Sequence, residues 1–261
     1  MILYENNISP LAFVESLDQQ SQNRDYAYGQ IVPLCMPVNY IIPFQVCVSS
    51  TITAISKVYL CNVNDLTETD ITSKLTSLSV ITEDGYNIIK YNPRDTLLVD
   101  SLPEGEYYLR IESSNGLMLY SEIIALTSSY IDYTRIEYSN TVDLKPNFGI
   151  ISFSDGFKFV VFINTQLGRP DYTFEEESVT RLGYTYEEVK TSKKKYNFNF
   201  TALEYLCDAL RVISLCDTRK VSDKYGDHYP NTFSTTMSWL DQGYLAEVKA
   251  SFEADNIIAN I

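Results

Sequence analysis

Glu106-Tyr107-Tyr108-Leu109-Arg110-Ile111-Glu112, then Ser113-Ser114-Asn115-Gly116, then Leu117-Met118-Leu119-Tyr120-Ser121-Glu122, is the stretch that decides the fold. Asn-Gly between two β-prone runs signals a tight turn, because both residues tolerate positive φ. In the first arm Tyr107, Leu109 and Ile111 alternate with Tyr108, Arg110 and Glu112, which predicts one buried and one wet face. The second arm is expected to run from Leu117 to Leu126. Upstream, Lys57 to Asn62 sends Val58 and Leu60 to one face, and an earlier strand spans Ile41 to Val48. Strands at Ile88–Tyr91 and Thr96–Val99 follow, separated by the turn residues Asn92-Pro93-Arg94-Asp95. Residues 1–128 thus read as an antiparallel β-domain with an N-terminal arm.

The approach to that hairpin, Leu102-Pro103-Glu104-Gly105-Glu106-Tyr107-Tyr108-Leu109, resembles the entry to strand F of immunoglobulin and fibronectin type III sandwiches. There a Tyr two residues after a Gly makes a tyrosine corner. Tyr107 holds that place, and Leu109 stands where an antibody domain carries its second Cys, so the resemblance implies a sandwich without a disulfide.

The pattern resets around Ser128 to Tyr133. Residues 129–261 read as a β-rich (α+β) assembly domain with one helix near 201–214. In Gly156 to Asn164, Phe157, Phe159, Val161 and Ile163 share a face and Val160 and Phe162 fill the other, which predicts a strand inside its sheet. Lys195 to Phe200 alternates, with Tyr196, Phe198 and Phe200 on one side. Thr201-Ala202-Leu203-Glu204 reads as a capping box, and Leu203, Leu206, Cys207, Leu210 and Ile213 recur at helical spacing. Further strands are expected near Arg219–Ser222, Tyr229–Thr235 and Tyr244–Phe252. The fold class is mainly β, an immunoglobulin-like β-sandwich followed by a β-rich domain with one amphipathic helix.

Composition narrows function. The chain has 261 residues, 34 acidic and 20 basic, for a net charge of -14. A surface that grips nucleic acid through phosphates needs clustered Lys and Arg, so sequence-specific nucleic-acid binding is not expected. Met1 to Gln22 has no basic start, apolar core or cleavage site of a leader, and no apolar run is long enough to span a membrane. Cys35, Cys47, Cys61, Cys207 and Cys216 are odd in number and lack Cys-x-x-Cys spacing, so they read as small buried hydrophobes of a reducing compartment. The 21 tyrosines suit strands and interfaces, and also fit nucleotide bias in the gene.

Catalytic motifs are missing: no Gly-x-Ser-x-Gly, P-loop, His-Glu-x-x-His or dinucleotide fingerprint. His228, the single histidine, follows Asp223 and Asp227 and reads better as a loop histidine than as an acid–base group. The acidic loop Asn62 to Asp70 hints at calcium but lacks the central Gly of an EF-hand. No catalytic, cofactor or metal site is therefore expected. The informative segment is Gly168 to Phe200. Its acidic block Glu175, Glu176 and Glu177, its basic block Lys193, Lys194 and Lys195, and Arg181, Glu187 and Glu188 between them are the candidate subunit contacts. Two readings stay open. The blocks meet across one hairpin with little energetic effect, or they meet on neighbouring copies, which close into a ring.

Gly156-Phe157-Lys158-Phe159, Gly168-Arg169-Pro170-Asp171-Tyr172-Thr173-Phe174-Glu175-Glu176, Lys195-Tyr196-Asn197-Phe198 and Glu204-Tyr205-Leu206-Cys207-Asp208-Ala209-Leu210 together resemble structural proteins of tailed phages and prophages of gut bacteria, the crAss-like group included. Leu102 to Glu122 fits the immunoglobulin-like first domain of the same group. The resemblance implies a non-enzymatic virion subunit of the tail or neck, made in the host cytoplasm without a cofactor. Its implied partners are copies of itself in a homo-oligomeric ring and other tail, neck or portal proteins, with no membrane. The net charge divides as -9 for residues 1–128 and -5 for 129–261; an acidic wall would let DNA slide past. A carbohydrate-binding sandwich is the alternative, lowered by the single Trp, and a carboxylate-based glycosidase is third.

Overall fold

Alternating β-branched or aromatic and polar residues run through this chain, and pairing of such segments buries one face of each. The computed structural model describes residues 8–20, 33–83, 85–93, 102–145, 150–240 and 245–260. Its first strands are β1 (Phe13–Val14), β2 (Leu34–Pro37), β3 (Phe44–Ser49), β4 (Ile55–Asn62), β5 (Glu68–Asp70), β6 (Leu75–Ser77), β7 (Ile81–Glu83), β8 (Tyr86–Pro93), β9 (Gly105–Ser113), β10 (Met118–Ser121) and β11 (Ile124–Thr127). One sheet joins β3, β8, β6 and β7. The other runs β5-β4-β9, with β10 and then β11 along the far side of β9, and with β1 and β2 outside them. The β2–β11 pairing is parallel, against an otherwise antiparallel set. This is an immunoglobulin-like sandwich.

The deciding stretch behaves as its pattern predicts, with two amendments. Tyr107, Leu109 and Ile111 are buried between the sheets with Val58 and Leu60. The Tyr107 hydroxyl donates to the Pro103 carbonyl at 3.0 Å, which is the tyrosine corner. Gly116, at φ 77°, turns the chain between β9 and β10. The second arm is not one strand, however. Ser121 Oγ donates to the Glu122 carbonyl and accepts the Leu109 N–H, and the chain restarts as β11 on a fresh length of β9. Asn92 and Pro93 belong to β8, paired with β6, instead of forming a turn. Arg94, Asp95 and the expected strand Thr96–Val99 lie outside the described residues.

The rest comprises β12 (Thr134–Ser139), β13 (Phe159–Ile163), β14 (Asp171–Arg181), β15 (Tyr184–Leu203), α1 (Glu204–Ile213), β16 (Thr218–Asp223), β17 (Gly226–His228), β18 (Thr232–Trp239) and β19 (Leu245–Asn260). They make two antiparallel sheets, β13-β12-β16-β17 and β14-β15-β19-β18. All five β13 residues are buried, yet among the described residues β13 is an edge strand and not an interior one. Both of its faces receive cover from outside the sheet: Phe153 and Phe157 pack edge-on against Phe159 on one, and Tyr40 of the sandwich packs against Phe162 on the other, centroids 5.8 Å apart.

The capping box does not form. Thr201 and Ala202 stay in β15, paired with Glu247 and Ala246 of β19, and the helix starts only at Glu204 with no side-chain cap. Continued strand pairing satisfies the backbone that the cap was expected to serve. From there Leu206, Cys207, Leu210 and Ile213 turn inward as spaced.

The last sheet is staggered. β14 pairs with the Tyr184–Lys195 half of β15, whereas β18 pairs with the Ala246–Glu253 half of β19. One row, Asp171–Lys195–Glu253–Thr232, crosses all four strands. β14 lies beyond that row on one side and β18 on the other.

Two of the contacts that join the halves differ in character. One is apolar, Tyr40 on Phe162. The other is polar. Gln45 and Lys90 face each other across β3 and β8, and both are fully buried. Gln45 Nε2 donates to the Ile150 carbonyl at 3.1 Å and its Oε1 accepts the Ser152 N–H at 3.2 Å. Lys90 Nζ donates to Ser152 Oγ at 3.3 Å, to the Ser154 carbonyl at 3.1 Å and to Ser154 Oγ, with an Asp155 carboxylate oxygen 3.6 Å away.

Candidate assembly surface

The β14–β15 hairpin places most of the predicted contact residues. Its turn is Arg181-Leu182-Gly183-Tyr184, with Leu182 at φ 54° and Gly183 at φ 83°, the two positive values of a tight hairpin. Glycine meets that demand freely, but leucine does so under strain. Leu182 is also 98% exposed. A shift in register between Glu177 and Ser178 marks a bulge midway.

Acidic and basic blocks oppose each other within this one hairpin. Lys193 Nζ lies 2.7 Å from Glu175 and 3.8 Å from Glu253, and Lys190 lies 3.1 Å from Glu176. The Glu175 carboxylate, with Glu253 behind it, holds the Lys193 ammonium above the usual lysine range. Lys195 is level with Asp171 and Glu253, Lys194 with Tyr172, and Glu177 with Val189 at the bulge. Arg181 ends β14 at the turn. The side chains of Glu187 and Glu188 lie outside the described residues.

No residue of β14 is buried. Sequence reasoning looked at its charges and missed its exposed apolar groups. Phe174, 76% exposed, stands in one row with Ser192 and the exposed Ile257, and exposed Tyr172 sits two residues away. Their signal was present, since Tyr172 and Phe174 share one face of the strand. Charge is found on both faces: Asp171, Glu175, Lys193 and Lys195 on one, Glu176, Lys190 and Lys194 on the other. Both outer strands of the sheet are open, because among the described residues β14 pairs only with β15 and β18 only with β19. The open β18, Thr232-Phe233-Ser234-Thr235-Thr236-Met237-Ser238-Trp239, carries no charge, and Trp239 at its end is 51% exposed.

The other candidates make contacts within their own surroundings. His228 lies on Tyr196 and Phe252, with ring centroids 4.6 and 6.0 Å away. Asp227 turns to Lys220 and Ser222, which hold its carboxyl below the usual range, while Asp223 accepts the Tyr225 and Gly226 N–H groups of the turn. In the acidic loop, Asn62 and Asp65 likewise accept backbone N–H groups of their own turn. No group of three His, Cys, Asp or Glu among the described residues is placed to hold a metal. The cysteines are free, and burial pushes the Cys47 and Cys207 thiols up to about 11 and Cys216 to about 12. A cleft of about 340 Å³ opens between β2, β13, β15 and α1, lined by Leu34, Cys35, Phe162, Asn164, Phe200 and Leu206. Four distant segments build it, so no local pattern announced it. No helix among the described residues is long and apolar enough to cross a membrane.

Comparison with known families matches residues 70–234 to the MAC/Perforin domain, well over half of the chain. The chain belongs to the MAC/Perforin domain family. The matched stretch starts in β5 of the sandwich and ends inside β18, so the MAC/Perforin domain spans both halves and contains the whole β14–β15 hairpin. No curated protein matches the chain.

Proposed function

We propose that this protein is a non-enzymatic structural subunit that joins copies of itself at the edges of its β14–β15–β19–β18 sheet to form a ring, and that the ring belongs to a tailed-phage virion. The observation that carries this reading is β14 itself, an eleven-residue edge strand with no buried side chain and with exposed Tyr172 and Phe174. Ordering such a strand costs conformational entropy with no apolar burial to offset it, and exposed aromatics on an open edge suit contact with another chain. Head-to-tail contacts between unlike edges close into a ring when the rotation from copy to copy closes. Tail or neck partners are what the resemblance of Gly156–Phe159, Gly168–Glu176, Lys195–Phe198 and Glu204–Leu210 to phage structural proteins implies.

Membership in the MAC/Perforin family favours a second reading, a pore-forming-like domain. A strand that faces lipid needs one side free of charge, and this hairpin has charges on both sides, which weighs toward protein contacts. Native mass and negative-stain images across a salt series, with dye release from anionic vesicles alongside, separate the two. Rings in solution without dye release support the structural subunit. Dye release by a species that is monomeric in solution overturns it in favour of the pore.

A further inference from the structure

The segment from Ile150 to Gly156 is fastened in two ways. To its own half it is held by apolar packing and hydrogen bonds: Phe153 against Phe159, the following Phe157 against Phe159, Ile151 paired with Leu144, and the Phe153 N–H donated to the Asp143 carboxylate at 2.7 Å. To the sandwich it is held by polar groups, namely Gln45, Lys90 and a hydrogen bond from Ser79 to Asp155. Lys145 and Glu83 add an ion pair just upstream. Asp155 also sits at φ 60°, ψ 24°, in the left-handed region that Asp and Asn tolerate among non-glycine residues.

We propose that Lys90 and Gln45 form a releasable clasp. The segment leaves the β3–β8 sheet as part of the second half, and the Tyr40–Phe162 contact stays closed as the pivot. Two features support release at this place. A buried ammonium gains little net stability from its partners, because it regains full hydration when freed. Its carboxylate partner Asp155 is about half exposed, so water already reaches that side of the pair. The Tyr40–Phe162 ring contact, beside which the Tyr40 hydroxyl meets Arg135, holds no buried ammonium, which is why it serves as the pivot and not as the catch. The device concerns how the halves move and is independent of the assembly reading.

Amide hydrogen exchange read by NMR on the full chain tests this, because neighbouring amides report different attachments. The Ser152 N–H is bound by Gln45 of the sandwich, whereas the Ile151 and Phe153 N–H groups are bound by Leu144 and Asp143 of the second half. In Lys90→Met and in Asp155→Asn, Ser152 exchange should rise at least tenfold, with Ile151, Phe153 and the β3 and β8 amides unchanged. Asn tolerates the left-handed conformation, so the second variant removes charge alone, and it decides the matter should Lys90→Met fail to fold. A joint rise at Ile151, Ser152 and Phe153 means local melting and overturns the clasp. So does a rise across β3 and β8, or no change at Ser152.

Discussion

β13 and β14 are successive strands with opposite surroundings. Phe159–Ile163 is buried at every position, and Asp171–Arg181 at none. Both are edge strands, so sheet position does not explain the difference. What differs is what lies beside them: aromatics from the β12–β13 connection and the sandwich close over β13, while β14 has only β15. β13 derives its order from apolar burial, which acts within one chain. β14 derives its order from main-chain pairing with a long neighbour that is anchored elsewhere, and its side chains are left for something outside.

Substitutions sharpen that contrast in descending order of effect. Phe159→Ala should lower unfolding free energy by about 3–5 kcal/mol in denaturant titration, because three aromatic neighbours lose their contact. A small effect there would break the comparison. Alkali should also act through the interior. The buried thiols of Cys47, Cys207 and Cys216 stay protonated to about 11, 11 and 12, above their ordinary value. An unfolded chain releases those protons first, so stability is intact below the ordinary thiol range and falls as pH rises through it. Cys47→Ala should flatten that fall, measured by denaturation at a series of pH values. Tyr107→Phe removes the corner hydroxyl and should cost about 1 kcal/mol. At the hairpin tip the sign reverses: Leu182→Asn relieves the left-handed strain and should raise stability by roughly 0.5–1 kcal/mol. Smallest of all, Lys193→Ala should leave the denaturation midpoint unchanged, since exposed pairs contribute little. Reversing Lys193, Lys194 and Lys195 to Glu should nonetheless block self-association in native mass measurements if those blocks mediate it.

The sandwich was legible because its signals are local. Asn115-Gly116, the alternation through Tyr107, Leu109 and Ile111, and the Gly105–Tyr107 spacing each report on a few neighbouring residues. The false capping box at Thr201 shows the limit: the motif was present, but strand pairing to a segment more than forty residues away took its backbone groups. β13 misled for a similar reason, since two apolar faces announce burial without saying whether another strand or a loop covers them. Of the surface, the charge blocks at Glu175 and Lys193 were legible, but their pairing across one hairpin needed the register. The Lys90–Gln45 junction was visible only as a lysine within an apolar run, Ile88-Ile89-Lys90-Tyr91, whose meaning depends on a loop sixty residues on.

The stagger of the last sheet bears on any array built from its edges. β18 covers eight rows of β19, ending at the row where β14 begins. A neighbour that laid its β14 along β18 would therefore sit lower by some eight residues, about 27 Å at the usual strand rise. Copies joined this way climb like the treads of a spiral stair. They come level, and so meet end to end, only when every strand leans steeply away from the common axis, which makes the slope of the strands the quantity that decides between a closed hoop and a filament.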